Sequence, residues 1–274
     1  MALHQSLKFL DLNYVQLIIA NSLRGKPALI NSDFPRHTEL LLYESSYWAS
    51  SVSSIYREFL QNSYRCPLLL MNHDCIPDPD CIFNLLEESK KHSLYAIHAQ
   101  LNYLHDPNQI WWAGSRISCM GTRFLANSAI TQSDSSLLMS SSTMGQCLII
   151  HPDLVDPSFL CESFLPHYFA DSVQTTLMRR RGAVVAVLRT AIAYTDQSDY
   201  RKKINRWYSG PKHLFVFRIL FSPWSNRLLT ARAFAAFTEI DNKFHALLFS
   251  FLISCATIFV TLRDYLRLLF KDFV

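Results

Sequence analysis

The chain has 274 residues, half of them hydrophobic, which allows one large α/β domain or one domain with an appendage. Its formal net charge of +4 gives no support to nucleic acid as a partner, but it suits an anionic small substrate or an anionic lipid surface. Charged residues make up only 18% of the chain, and the mean hydropathy is slightly positive at +0.08, so both values indicate membrane contact.

Strand and helix patterns alternate through the first 200 residues. Residues 14–20, 39–43, 68–71, 94–99, 148–150 and 183–188 read as strands, and residues 47–60, 80–91 and 172–181 read as helices. A serine-rich stretch at 128–143 has little periodicity and is predicted to be a mobile loop. This alternation predicts an α/β fold with a mixed, mainly parallel, Rossmann-like sheet flanked by helices.

The seven cysteines are dispersed and form no Cys-x-x-Cys pair. An odd, scattered set of this kind predicts reduced thiols in the cytoplasm, and not a disulfide framework or a zinc site. Residues 1–13 lack a basic segment followed by a clean apolar core, so they do not read as a signal peptide.

The stretch at 68–80 is the first candidate for a functional site. Four apolar residues predict a buried strand, which breaks into Asn72, His73 and Asp74 before a helix begins near Asp80. Open α/β sheets bind ligands at the carboxyl ends of their strands, and a carboxylate there suits a divalent metal ion that holds a diphosphate. The alternative is an ordinary turn, in which Asn and Asp are common and His73 faces solvent.

Five blocks in this order resemble family 2 glycosyltransferases of the GT-A fold, particularly bacterial members related to rhamnosyltransferases. They are Ile-Ile-Ala-Asn-Ser at 18–22, Tyr-Trp-Ala-Ser-Ser-Val-Ser at 47–53, Leu-Met-Asn-His-Asp-Cys-Ile-Pro-Asp at 70–78, Ile-Trp-Trp-Ala-Gly-Ser-Arg-Ile at 110–117, and Gly-Gln-Cys-Leu-Ile-Ile at 145–150 together with Phe-Leu-Pro-His-Tyr-Phe-Ala-Asp at 164–171. The likeness covers about residues 14 to 200. It implies a GT-A domain over 1–200, followed by a helical C-terminal extension over 201–274.

The resemblance also implies roles for individual residues. Residues expected to bind a nucleotide-sugar donor are Asn21, Ser22, Trp48, Asn72 and Asp74, and Asp74 is also expected to bind Mg²⁺ or Mn²⁺. Asp171 is expected to act as the catalytic base of an inverting transfer to a hydroxyl group of a cell-surface glycan or lipid. Residues expected on the acceptor side are Trp111, Trp112, Gly114 and Tyr168. The residues alone leave two alternatives open: Asp171 as a helix N-cap, and the two tryptophans as core.

Several positions depart from the family pattern. Ala20 stands where an Asp should meet the nucleobase, and Ser53, Val173 and Leu177 replace an Asn, an Asp and an Arg. The family's first strand has no room before Tyr14 unless residues 7–12 replace it, so the domain is expected to be shortened at its N-terminus. These departures predict weak donor binding. They leave open a catalytically inactive GT-A-like scaffold at the membrane, and more weakly a nucleotidyltransferase-like enzyme, although the six glycines form no phosphate loop.

The C-terminal extension differs in character from the rest of the chain. Residues 201–218 interleave basic and aromatic side chains, residues 226–238 predict a helix, and residues 246–262 carry no charge. A helix of that length would span about 25 Å, which is the lower limit for crossing a bilayer. Because a span would place Arg263 and the basic residues after it outside, the pattern favours a cytoplasmic protein whose helix lies at the inner membrane face, with a single transmembrane helix as the alternative.

Overall fold

The computed structural model describes residues 17–22, 37–42, 47–72, 74–118, 121–124, 135–196, 214–222, 225 and 228–270. The strands are β1 (Leu17–Ser22), β2 (His37–Leu42), β3 (Leu68–Met71), β4 (Cys75–Pro77), β5 (Tyr95–Tyr103), β6 (Ile110–Trp112), β7 (Ser115–Ser118), β8 (Gly121–Phe124), β9 (Leu137–Met139), β10 (Cys147–Ile150) and β11 (Val184–Thr195). The helices are α1 (Trp48–Gln61), α2 (Cys81–Ser89), α3 (Ala170–Arg180), α4 (Phe215–Phe221), α5 (Leu229–Glu239) and α6 (Lys243–Phe270), and two short 3-10 turns lie at Pro152–Leu154 and Pro157–Leu160.

A seven-stranded mixed sheet forms the centre of the fold. Its path runs β3-β10-β5-β11-β4, with β6 added beside β5 and β9 beside β11. β5 and β11 are parallel, whereas β10 is antiparallel to both β3 and β5, and β4, β6 and β9 are antiparallel to their partners. β1 and β2 form a separate parallel pair. The prediction of a mixed sheet is confirmed, but its mainly parallel character is confirmed only in part.

The direction of β10 explains part of this difference. All four of its residues are buried, and they alternate between the two faces of the sheet: Cys147 and Ile149 pack on one side, Leu148 and Ile150 on the other. A strand covered on both faces reads as a continuous apolar run in either direction, so its sequence does not record which way it runs.

Helices cover both faces of the sheet. α2 places Cys81 and Leu85 against the face that carries Ile149 and Trp112. On the other face, α1 contributes Tyr56 and Phe59, and α3 contributes Met178. Tyr56 and Gln174 are both buried, and a hydrogen bond from the Gln174 amide to the Tyr56 hydroxyl joins α1 to α3.

The predicted mobile loop at 128–143 is wrong for the residues from 135 onward; residues 128–134 lie outside the described part of the chain. Residues 137–139 form β9, and Ser140, Ser142 and Thr143 are buried. The hydroxyl groups of Ser115 and Ser142 lie 2.8 Å apart, and the Ser140 hydroxyl accepts the Ser115 backbone N–H at 2.8 Å. These serines satisfy one another inside the protein, so their polarity does not imply exposure.

The C-terminal extension packs on the α/β layer. Ala231 and Ala235 of α5 join a buried cluster with Ala170 and Val173 of α3. The small side chains on both helices allow their backbones to approach closely. The described part of the extension therefore shares a core with the residues before 200.

Candidate active site

The carboxyl end of β3 holds Asn72 and Asp74. The Asn72 backbone N–H donates to the Gln146 carbonyl at 3.1 Å, which continues the antiparallel pairing of β3 with β10 by one residue pair. The Cys75 N–H donates to the Asn72 carbonyl at 3.1 Å, and this closes a tight turn that leaves Asp74 exposed. His73 lies outside the described residues.

Trp48 and Asn72, two of the predicted donor residues, are in direct contact. The Trp48 indole N–H donates to Asn72 Oδ1 at 3.1 Å. Trp48 is the first residue of α1, and the chain there is fixed by a capping box between Tyr47 and Ser50. The bond aims the carbonyl end of the Asn72 amide at the indole. The amide nitrogen makes no hydrogen bond to the described residues, so it remains available to a ligand.

The Trp48 ring packs directly against the backbone of Gly145. A Cβ atom at this position would lie 2.1 Å from Trp48 Cζ2 and 2.8 Å from Cη2, so only glycine fits beneath the ring. Gly145 belongs to the fifth block of the resemblance, which implies no role for it. The structure makes it the contact that holds the indole in place.

Asp171 lies in the first turn of α3, where the helix dipole favours a negative charge. Its Oδ2 accepts the Gly145 N–H at 3.1 Å, and its Oδ1 accepts the Ser172 N–H at 2.8 Å. Burial raises the pKa of Asp171 above the usual 3.8, against the lowering effect of these backbone donors. The alternative of an N-cap is wrong, because the capping residue is Phe169, which has the left-handed φ of 69°.

These contacts place Asp74 and Asp171 at the same edge of the sheet. Asn72 pairs with Gln146, and the adjacent Gly145 donates to Asp171. Trp48 closes the group by contacting both Asn72 and Gly145. Three of the predicted residues thus meet in one contact group, and Asp74 lies two residues from it. Asn21 and Ser22 end β1, and their donor role stays a prediction.

The residues expected on the acceptor side have different environments. Trp111 and Tyr168 are half-buried, and Gly114 has a φ of 120°, which favours glycine. Trp112 is only 2% exposed, and its ring packs edge-on against His98 with the ring centroids 4.8 Å apart. Burial lowers the pKa of His98 to about 4, so this ring is a neutral core group. The expectation that Trp112 contacts an acceptor is therefore corrected: its indole fills the core.

A chain of hydroxyl groups leads from Ser115 to Glu239, a carboxylate that sequence reasoning missed. Ser115 Oγ lies 2.8 Å from Ser142 Oγ, and the Ser142 and Ser172 hydroxyl oxygens lie 3.3 Å apart. Ser172 also makes a hydrogen bond to Glu239, the last residue of α5, which is only 5% exposed. The one available signal was that Glu239 is the single acidic residue in α5, and nothing in the pattern linked it to Asp171.

The described residues do not form a metal site by themselves. Asp74 is an exposed carboxylate, and no group of three or more His, Cys, Asp or Glu side chains within the described ranges converges to hold a metal ion. Asn72 Oδ1 is already engaged by Trp48. A divalent ion at Asp74 would need oxygen atoms from a bound diphosphate to complete its ligand shell.

No known family profile matches the chain, and no curated protein sequence matches it. Among solved structures, it is similar to GalNAc-T7 in complex with UDP, GalNAc and Mn²⁺, with a TM-score of 0.51 and 10% identity over 92% of this chain. The chain spans about half (51%) of the length of that protein. It also matches A197 from STIV, with a TM-score of 0.42 and 13% identity over 66% of this chain and 85% of that one. The likeness to GalNAc-T7 supports the expectation of a GT-A glycosyltransferase fold.

Proposed function

We propose that the chain is a glycosyltransferase that moves a sugar from a nucleotide-diphosphate donor to a hydroxyl group of a cell-surface glycan or lipid. The observation that carries this proposal is the contact group formed by Trp48, Asn72, Gly145 and Asp171 beside the exposed Asp74. Its members come from four segments of the chain and converge on one edge of the sheet, where α/β proteins bind ligands. The fold shared with GalNAc-T7, which was crystallised with UDP, GalNAc and Mn²⁺, supports the same class of donor.

Asp171 is proposed as the catalytic base. The acceptor oxygen attacks the anomeric carbon of the donor sugar as the bond to the diphosphate breaks, and Asp171 takes the acceptor's proton, which gives inversion. The two backbone N–H donors fix the carboxylate while each oxygen keeps a lone pair. Because burial raises its pKa, the carboxylate binds a proton more tightly than an exposed aspartate would.

The donor would lie at the carboxyl end of β3. The free amide nitrogen of Asn72 can donate to a phosphate or sugar oxygen, and the half-buried Trp48 ring can contact the sugar or the base. Asn21 and Ser22 are proposed to contact the nucleotide. A divalent ion, Mg²⁺ or Mn²⁺, would neutralise the leaving diphosphate. Asp74 is the residue proposed to contact it. Trp111, Gly114 and Tyr168 are proposed to contact the acceptor.

The test is donor binding combined with turnover. Titration calorimetry with nucleotide sugars should detect Mn²⁺-dependent binding, and Asp74→Ala should abolish that binding. Asp171→Asn should keep donor binding but lose turnover. Asp80→Ala, which removes an exposed carboxylate that makes no capping bond, is the matched control and should change neither measurement. If Asp74→Ala and Asp80→Ala bind the donor equally well, the donor-site assignment is wrong.

A second candidate is a catalytically inactive GT-A-like scaffold, and one observation favours it. Val173 is fully buried and Leu177 is partly buried, so the positions where the family has an Asp and an Arg are here used for packing. Ala20 also cannot accept a hydrogen bond from the nucleobase, and a buried polar group left without a partner costs about 1–3 kcal/mol. Donor affinity is therefore expected to be about tenfold to a hundredfold weaker than with the missing Asp present. Binding without turnover would select the scaffold.

A further inference from the structure

Helix α6 turns its large apolar side chains outward, whereas an ordinary surface helix turns them toward the protein. The most deeply buried side chains, Ala246, Thr257 and Thr261, are small or carry a hydroxyl group, and the half-buried Ser250 and Ser254 continue this stripe at helical spacing. The outward side chains are large and apolar, and they include Phe251 at 65% exposure and Phe259 at 70%. An amphipathic helix on a water-facing surface turns its apolar stripe inward, so this arrangement needs another solvent or partner outside.

The inward hydroxyl groups are all hydrogen-bonded to backbone carbonyls. Ser250 Oγ donates to the Ala233 carbonyl of α5 at 2.9 Å, and Thr257 and Thr261 donate to carbonyls one turn back at 2.6 and 2.8 Å. α6 therefore carries no unsatisfied hydroxyl group on this side, which is a requirement of a helix in contact with lipid.

The contacts of α6 run along its length. α5 packs against its first half through the bond to Ser250, and α4 packs against its second half, where the Phe215 and Tyr265 rings stack with their centroids 6.2 Å apart. Within Lys243–Leu266, an 18-residue window has a mean hydropathy of 2.0 and only 17% of it is buried, so much of its apolar surface faces outward. Crossing a bilayer would require α6 to leave both helices.

We propose that the outer face of α6 inserts into the surface of an anionic bilayer, with the helix axis lying in the membrane plane. The inserting side chains, which we call the α6 outer face, are Phe244, Leu247, Leu248, Phe251, Leu252, Ile258, Phe259, Leu262 and Leu266. α4 adds Phe217 and Phe221, which are exposed and contact each other. Exposed basic residues at both ends of the charge-free stretch, Lys243 and Arg263, would meet anionic headgroups.

A bilayer explains this face better than a second protein chain does. Protein interfaces carry about one hydrogen bond per 100–200 Å² and a polar rim. Between Ala246 and Leu262, however, the α6 outer face offers no charged side chain, and its serines and threonines are turned inward. Contiguous apolar surface of this kind on a single chain marks a membrane or protein contact. This inference does not depend on sugar transfer.

The test is flotation of the full chain with vesicles of phosphatidylcholine alone and of phosphatidylcholine mixed with phosphatidylglycerol. We expect binding to the mixed vesicles. The double variant Phe251→Asp with Phe259→Asp should lower the partition coefficient by more than about tenfold. Phe83→Asp is the matched control, because Phe83 is an exposed phenylalanine on α2, and it should bind like the parent chain. Equal binding of both variants would overturn the proposal.

Two further measurements separate in-plane insertion from its alternatives. Spin labels are introduced one at a time, at Cys255 in a Cys66→Ser chain and at Leu248→Cys or Phe259→Cys in chains that carry both Cys66→Ser and Cys255→Ser. All three labels should report the same shallow depth, whereas a span would place one label near the bilayer centre. Without lipid, light scattering of the parent chain and of Phe251→Asp provides the other check. A stable dimer that Phe251→Asp dissociates, together with no vesicle binding by the parent, would show that a second copy covers the face and that the proposal is wrong.

Discussion

Gly145→Ala should destabilise the protein and displace the proposed donor residues, because the added methyl group collides with the Trp48 ring. The new Cβ would lie 2.1 Å from Cζ2, and the ring atoms it meets belong to a rigid indole held by the bond to Asn72. Ordinary contact requires the ring to retreat by more than about 1 Å. That movement breaks the indole hydrogen bond and loosens the Gly145 N–H to Asp171 contact.

The cost can be built from its parts. Overpacking of a fitted site costs about 1–3 kcal/mol, and the lost hydrogen bond adds about 0.5–1.5 kcal/mol. A total of roughly 2–4 kcal/mol corresponds to a fall in Tm of about 5–15 °C for a chain of this size. Equilibrium unfolding in urea, together with thermal unfolding followed by circular dichroism, would measure both quantities.

The control removes the indole of Trp48, whose six-membered ring meets the new methyl group. Trp48→Phe removes the atoms that the new methyl group meets, so Gly145→Ala should cost much less in the Trp48→Phe background than in the parent. Gly182→Ala is a matched glycine substitution with open space around the new Cβ, although its φ of 91° strains an alanine. Equal costs of Gly145→Ala in the two backgrounds would refute the reasoning about the indole.

Three more predictions concern protonation, the buried carboxylate and the thiols. If Asp171 is the base, kcat/KM should rise with pH through a pKa above 3.8. The same raised pKa in the folded state means that the free energy of unfolding falls as pH rises through that pKa. Asp171→Asn should remove both pH dependences, which rate and unfolding titrations would measure. Glu239→Ala should lower kcat more than KM changes, because Ser172 beside Asp171 loses its acceptor, whereas Glu239→Gln keeps an acceptor oxygen and should restore most of the rate; equal losses in the two variants would refute a positioning role. Native alkylation followed by mass spectrometry should modify the exposed thiols and leave the buried ones unmodified until the protein unfolds; the exposed thiols are Cys66 and Cys255, and the buried ones are Cys75, Cys81 and Cys147.

The sequence predicted the main elements of the α/β layer because their patterns are local. The helix predicted at 47–60 is α1 at Trp48–Gln61, and the strand predicted at 68–71 is β3 with the same bounds. The resemblance assigned Trp48, Asn72 and Asp171 to one proposed active site, and two hydrogen bonds and the contact of Trp48 with Gly145 bring them together. What those residues do remains a prediction.

The features that sequence reasoning missed depend on long-range partners. The pattern of Trp112 is the same whether its ring fills the core or faces a ligand, and only the contact with His98 decides it. Buried serines such as Ser142 look like loop residues until their mutual hydrogen bonds are known. Glu239 reaches the site because α5 packs on α3, and no local pattern records that packing.

The corner between α5 and α6 has a mechanical consequence. Residues 240–242 join the two helices, and α3 is attached to the end of α5 and to the corner itself: Ser172 bonds to Glu239, and Arg180 bonds to Asp241 at 2.9 Å. A force that lifts or presses α6 therefore acts on the helix that carries Asp171. If α6 adsorbs to a bilayer and the proposed sugar transfer takes place, turnover of a water-soluble acceptor should change when vesicles are added, and Phe251→Asp should abolish that change.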